Sequence, residues 1–281
     1  MKVTEAFKKA APALSFEFFP PKTPEQEEHL FDVIGKLKAF KPDFVSVTYG
    51  AMGTTREKTF HWVETIKNKF KIEPVAHLTC VAASKKDIAG QLDQLDKIGI
   101  ENILALRGDP PEGTTEFVPP ADGFKFARDL IRLIKEKKPG FCLGAAAFPE
   151  NTASLAYLKE KIEAGAEYAI TQLFFDNRYY FEYVEKARKA GLSIPIVPGL
   201  MTITNLKQIK RLTKVCGATI PEPLLKKLEA LDGDTEAIHK LGAEHTLAQA
   251  RELIKAGAPG LHFFVMNQAE PIAQILKQLA R

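Results

Sequence analysis

Glu17 stands in Phe16-Glu17-Phe18-Phe19-Pro20-Pro21, a carboxylate inside an aromatic run. Burying an ionised carboxylate is costly. Burial here therefore predicts a raised pKa, the property a general acid needs near neutral pH. The plainer alternative is a barrel residue paired with a Lys or Arg. Arg107 and Asp109 flank Gly108. Either an ion pair holds a turn there, or the glycine lets backbone approach a planar ligand that the two charges orient. His77 lies between Ala76 and Leu78, with no second histidine at i+2, i+3 or i+4 to make a metal pair. It reads as a satisfied core histidine or as a site residue. Gln172 is an amide in an apolar run, and a buried amide needs a neighbouring strand or the donor–acceptor edge of a ligand such as a pterin. Asp176 reads as a helix cap. Met52, Met201 and Met266, with Phe148 and Phe264, offer soft apolar surface for a flat ring, or simply packing. Nucleophilic catalysis finds little support: there is no GxSxG, and no cysteine has an evident histidine base. His29, His61, His239, His245 and His262 are assigned no role.

Eight short apolar runs carry these residues: 14–19, 43–50, 73–80, 102–109, 142–148, 168–176, 194–201 and 260–267. Their near-continuous hydrophobicity suits parallel strands buried on both faces. Amphipathic segments lie between them. Thr23-Pro24-Glu25-Gln26 offers an N-cap, a proline in the first turn and a capping-box partner. Thr54-Thr55-Arg56-Glu57 and Ser84-Lys85-Lys86-Asp87 repeat the pattern, and Gly99, Gly140, Gly165, Gly191 and Gly257 mark helix ends. The order and spacing predict a (β/α)₈ TIM barrel, whose chemistry sits at the C-terminal ends of its strands. Extra helices are expected between strand 7 and strand 8, at 204–215, 221–231 and 234–256. An open doubly wound sheet is disfavoured because no strand is followed by GxGxxG.

The 281 residues are 45% hydrophobic and 26% charged, which excludes disorder as a description of the whole chain. With no Gly/Ser linker, 1–281 reads as one barrel domain. A net charge of +4 without basic stripes argues against nucleic-acid binding. Cys80, Cys142 and Cys216 are dispersed and odd in number, against a disulfide framework or structural zinc. No signal-peptide core and no apolar stretch of about 18 residues is present, so a soluble cytoplasmic protein without a membrane partner is expected. The outer helices leave homo-oligomers open.

The segments SFEFFPPKTP, FVSVTYGA, HLTC, ALRGDPP, AITQLFFD and PGLM…N run in order across residues 14–268. Together they resemble the methylenetetrahydrofolate reductase family in its bacterial, catalytic-domain-only form. That resemblance implies FAD at the barrel mouth and flavin-dependent, ping-pong reduction of 5,10-methylenetetrahydrofolate to 5-methyltetrahydrofolate by NADH or NADPH, in one-carbon metabolism and methionine biosynthesis. Between the two nicotinamides, the bacterial resemblance favours NADH. It gives Glu17 the role of acid and Asp109 that of a catalytic carboxylate near pterin and flavin. Thr48, Tyr49, Ala51, His77, Arg107, Gly108, Asp109, Phe148 and Lys161 match flavin-binding positions. Gln172, Gln208 and Gln268, with Glu17 and Asp109, fall at folate-binding positions.

The chain departs from the pattern after strand five. Phe148-Pro149-Glu150-Asn151-Thr152-Ala153 replaces a longer Tyr-Pro-Glu and histidine-containing connection, and Ser154, Tyr157 and Glu160 stand where other FAD partners are expected. Leu212, Phe264 and Gln268 replace a common aromatic, Tyr and Arg. The shortened loop leaves loosely held FAD, a smaller flavin or none as alternatives. Two other readings are a flavin-independent reductase with direct hydride transfer and a non-catalytic folate-binding barrel subunit.

Overall fold

Eight strands hydrogen-bond in chain order into a closed, all-parallel barrel: β1 Ala13–Phe18, β2 Phe44–Val47, β3 Glu73–Thr79, β4 Asn102–Leu106, β5 Cys142–Ala147, β6 Tyr168–Leu173, β7 Ile196–Leu200 and β8 Gly260–Phe264. β8 pairs back onto β1, with Ser15 opposite His262 and Glu17 opposite Phe264. The computed structural model describes residues 1–48, 56–108 and 117–279. The helices are α1 Val3–Ala6, α2 Pro24–Lys38, α3 Arg56–Thr65, α4 Lys85–Lys97, α5 Ala127–Lys137, α6 Ser154–Glu163, α7 Asn177–Lys189, α8 Leu206–Cys216, α9 Glu222–Ala230, α10 Thr235–Lys255 and α11 Ala269–Gln278.

Strand alternation divides the core in two. On β1, Phe16 and Phe18 face outward and join Leu30, Val33, Ile34 and Leu37 of α2. Inside, Phe44, Val75, Leu104, Cys142, Tyr168, Ile170 and Val197 fill the barrel together with Val3 of α1. Phe7, just after α1, packs its ring 6.2 Å from Phe44 and 5.7 Å from Tyr168. The N-terminal end is thereby plugged. A Cβ on Gly144 would fall 2.4 Å from the Tyr168 ring, so β5 needs glycine there for the floor to close. With the floor full, only the opposite end is open for chemistry.

The three helices expected between strands 7 and 8 are α8, α9 and α10. They pack Leu206, Ile209, Leu224, Leu228 and Ile238 against Leu173, Phe175, Met201 and Ile203 from the ends of β6 and β7. Ser84 and Asp87 form the expected capping box at α4, and Asp176 caps α7 through the Arg178 N–H. Thr23 caps α2, but Gln26 accepts from Lys22 N–H at 2.8 Å instead of from the cap residue. Gly99, Gly165, Gly191 and Gly257 take positive φ as expected; Gly140 does not, because α5 has already ended at Lys137. Thr54 and Thr55 lie outside the described residues. Among the described residues no helix is long and apolar enough to cross a membrane.

Candidate active site

Glu17 points into the open end of the barrel, where polar side chains from three strands meet it. Its Oε2 accepts from Ser46 Oγ at 3.3 Å and lies 3.2 Å from His262 Nε2. His77 Nε2 is 3.4 Å from the same oxygen, within ion-pair range but not aligned as a hydrogen bond. On the far side of its ring, His262 Nδ1 meets Ser15 Oγ at 2.8 Å. All five residues are buried, and Phe44 stacks on His262 at 6.3 Å.

This arrangement reverses the expected pKa shift. Burial does push the Glu17 pKa up, but His77 and His262 outweigh it and hold the carboxyl well below the usual carboxylate range. The aromatic neighbours that suggested the opposite lie on the outer face of β1 and never surround the carboxyl. With Glu17 ionised, its bond to His262 requires a proton on Nε2, and Ser15 can either donate to or accept from Nδ1. With both ring nitrogens of His262 protonated, Nδ1–H would donate to Ser15 and Nε2–H to Glu17, and one proton could then pass to the carboxylate.

Other polar atoms here lack partners. Both ring nitrogens of His77, and Thr79 Oγ1 further along β3, are buried without a hydrogen bond. Thr48 is tied to the end of β1, its Oγ1 donating to Phe18 O at 2.8 Å. Next to it the Asn267 side chain accepts from Phe19 N–H and donates to Phe19 O, at 2.9 and 3.0 Å. Met266 and Asn267 both hold φ of 54°, so β8 leaves the rim through two left-handed residues in succession.

The opposite side of the mouth is more open. Arg107 Nε donates to Gly108 O at 3.2 Å, and its guanidinium lies 5.6 Å from the Phe117 ring centre. Gly108 has φ of 85°, and a Cβ there would meet Val81 at 2.4 Å. Packing against Val81 together with the positive φ therefore requires glycine at this position. Phe148 is partly exposed beneath Lys161, whose Nζ lies 5.7 Å from the ring centre and donates to Ala146 O at 2.8 Å. Burial lowers the Lys161 pKa to about 8. Gln172, half-buried at a register shift in β6, turns its Oε1 to its neighbour's Leu173 N–H at 2.9 Å. It also lines a cleft of about 350 Å³ with Phe148, Glu150 and Cys216. Gln208 sits in the first turn of α8, whose cap is Asn205. Gln268 is exposed at the start of α11 without capping it. Among the described residues, no hydrogen bond joins either glutamine side chain to the Glu17 cluster. Tyr49, Ala51 and Asp109 lie outside the described residues.

His262, Ser15 and Ser46 were not singled out by sequence reasoning. The usable signal was phase: each occupies an inward position between outward apolar residues, as in Val45-Ser46-Val47 and Leu261-His262-Phe263. Two of the three cysteines are held as thiols. Cys80 is buried and its thiol is pushed up to about 12, and burial raises Cys142 as well.

A family model described as Methylenetetrahydrofolate reductase matches residues 2–280. The 5,10-methylenetetrahydrofolate reductase of Escherichia coli (strain K12) is 36% identical over 264 residues, covering 92% of this chain and 87% of that protein. A probable methylenetetrahydrofolate reductase (NADH) of Oryza sativa subsp. japonica is 35% identical over 300 residues, covering 99% of this chain but 50% of the relative. The chain thus spans about half the length of its plant relatives. Among solved structures, an uncharacterized protein from Clostridium thermocellum that binds two copies of 5-methyl-5,6,7,8-tetrahydrofolic acid superposes with a TM-score of 0.69 at 18% identity, covering 97% of this chain and 95% of that one. That likeness supports the barrel fold.

Proposed function

The chain belongs to the methylenetetrahydrofolate reductase family, and from that membership we propose that it acts as one catalytic unit over 1–281. It reduces 5,10-methylenetetrahydrofolate to 5-methyltetrahydrofolate with a reduced nicotinamide nucleotide. The observation that carries this reading is the buried Ser15–His262–Glu17 chain, with Ser46 and His77, at the open end of the barrel. A binding subunit has no evident need of a stored proton there.

The reaction needs one proton and one hydride. A proton delivered to the leaving nitrogen opens the five-membered ring, and the resulting iminium carbon accepts hydride to become a methyl group. Glu17 delivers the proton. Because the carboxyl is ionised at rest, its proton comes from the doubly protonated form of His262 through Nε2, 3.2 Å away, which leaves a neutral imidazole whose remaining Nδ1–H stays with Ser15 Oγ as acceptor. His77, beside the same oxygen, helps hold the anion between turnovers. Gln172, Gln208 and Gln268 stand at folate-binding positions, and Asp109 completes that set.

The flavin implied by the family fits at its ring end. The orphaned Nδ1 of His77 and the Thr79 hydroxyl are buried polar atoms that a heteroaromatic edge would satisfy. With Thr48, Arg107 and Gly108 they would hold the ring; once bound, flavin supplies a two-electron relay between nicotinamide and folate. A shared mouth makes the two substrates alternate, hence ping-pong kinetics. The test is anaerobic half-reactions with NADH and NADPH on protein of measured flavin content. Glu17→Gln should abolish folate reduction and spare flavin reduction by nicotinamide. Unchanged folate turnover would remove Glu17 from the mechanism.

A further inference from the structure

The nucleotide end of the site is built differently from its ring end. The shortened connection after β5 satisfies itself: Asn151 N–H bonds Phe148 O, Ser154 N–H bonds Asn151 O, and Asn151 Oδ1 accepts from Ala153 N–H. Glu150 turns both carboxylate oxygens to Thr219 N–H, tying the loop to the segment after α8. On α6, Ser154 and Glu160, which could meet a ribose or phosphate, already have partners within the protein. Ser154 Oγ accepts from Phe148 N–H at 2.8 Å and meets Tyr183 OH at 3.1 Å, with the residue only 3% exposed. Glu160 is held by Arg128 of α5. Tyr157 is half exposed.

Lys161 differs. Among the described residues it enters no ion pair, and its one hydrogen bond, to Ala146 O, leaves two of its three donors free. It reaches over the rim end of β5 above Phe148. Burial disfavours its charge, and Arg107 is near enough to disfavour it further; a phosphate beside these two cations would restore it.

We infer that the flavin site of this chain is a mononucleotide site, which recognises the ring, the ribityl chain and one phosphate held by Lys161, and does not read the adenylate half of FAD. The inference rests on the flavin-dependent reading above. A second phosphate would face the Glu160 carboxylate next to Lys161, and an adenosine over α6 would meet Ser154 and Glu160 already engaged within the protein.

Binding distinguishes the outcomes without reference to turnover. Flavin-free protein is titrated with FAD, FMN and riboflavin, following quenching of flavin fluorescence. FAD and FMN should bind within about threefold of each other, and riboflavin about tenfold or more weakly, the scale of one charge-assisted contact. Lys161→Ala should bring FMN and FAD down to the level of riboflavin and leave riboflavin unchanged. If FAD binds more than about tenfold tighter than FMN, an adenylate subsite exists and the inference fails, while flavin dependence stands. If FMN binds no tighter than riboflavin, there is no phosphate clamp and the inference fails again. If no flavin binds while nicotinamide still reduces folate, the flavin-dependent reading fails and takes the inference with it.

Discussion

On the β8–β1–β2–β3 side of the mouth, one carboxylate is met by buried side chains from three other strands, and His262 is backed in turn by Ser15. On the β4–β5–α6 side, Arg107, Phe148 and Lys161 are partly exposed and tied mainly to backbone carbonyls or to each other's surroundings. The first wall is over-determined. Its partners come from strands 29 and 245 residues away in sequence, so the barrel must close before it exists. The second is set by one connection and one helix, and can change by loop editing alone. The sequence departures expected after strand five fall on that second wall, while those expected at Leu212, Phe264 and Gln268 lie on α8, β8 and the start of α11. The surroundings of Glu17 are fixed by barrel closure, whereas the wall that carries Lys161 is adjustable.

The largest expected effect breaks the first wall. Glu17→Gln should lower folate reduction about 10³-fold, within the range of a general acid, while nicotinamide-driven flavin reduction stays within about threefold; stopped-flow half-reactions measure both. His262→Ala should cost folate reduction about 10²-fold and change its pH profile, since Glu17 loses its proton source. An unaltered profile would make His262 purely structural.

The acid side separates the walls through stability. The Glu17 pKa is depressed in the folded protein, so the stability it contributes is present above its ordinary value of about 4.5 and is lost as pH falls toward the folded value. Thermal melts from about pH 5 down to about pH 3 should therefore show wild type losing more Tm than Glu17→Gln. Equal losses would contradict the cluster's charge state. The smallest effect belongs to the second wall. Lys161 titrates near 8 in the folded chain and 10.5 in its ordinary state. Between these values the unfolded chain binds more protons, so wild-type stability rises with pH. Lys161→Met should melt roughly 2–4 °C above wild type at neutral pH, and the gap should narrow by about pH 10. A constant gap would show that charge burial is not the cause.

The barrel was legible because parallel strands buried on both faces leave unbroken apolar runs, and because helix signals separate them. The inserted helices were legible for the same reason. The environment of Glu17 was not. Phe16 and Phe18 adjoin it in sequence, but strand alternation sends them to the opposite face. What surrounds the carboxyl is set by register with β2 and β8, and register depends on closure. His77 was legible as a polar residue in an apolar strand; its relation to Glu17 was not. Gly108 was legible as a position that calls for glycine, but that a Cβ there would meet Val81 was not. A glycine announces close approach without saying what approaches.

The left-handed pair Met266-Asn267 bears on how this chain could be re-threaded. Non-glycine residues in that conformation each cost on the order of 1 kcal/mol, yet here they aim an amide that mimics a β-ladder and latches the first strand to the last at the rim. A circular permutant opened at this corner would free the strain and lose the latch, leaving the seam between first and last strands to fray beside Glu17 and His262. New termini in the exposed link between α9 and α10 would leave that seam untouched.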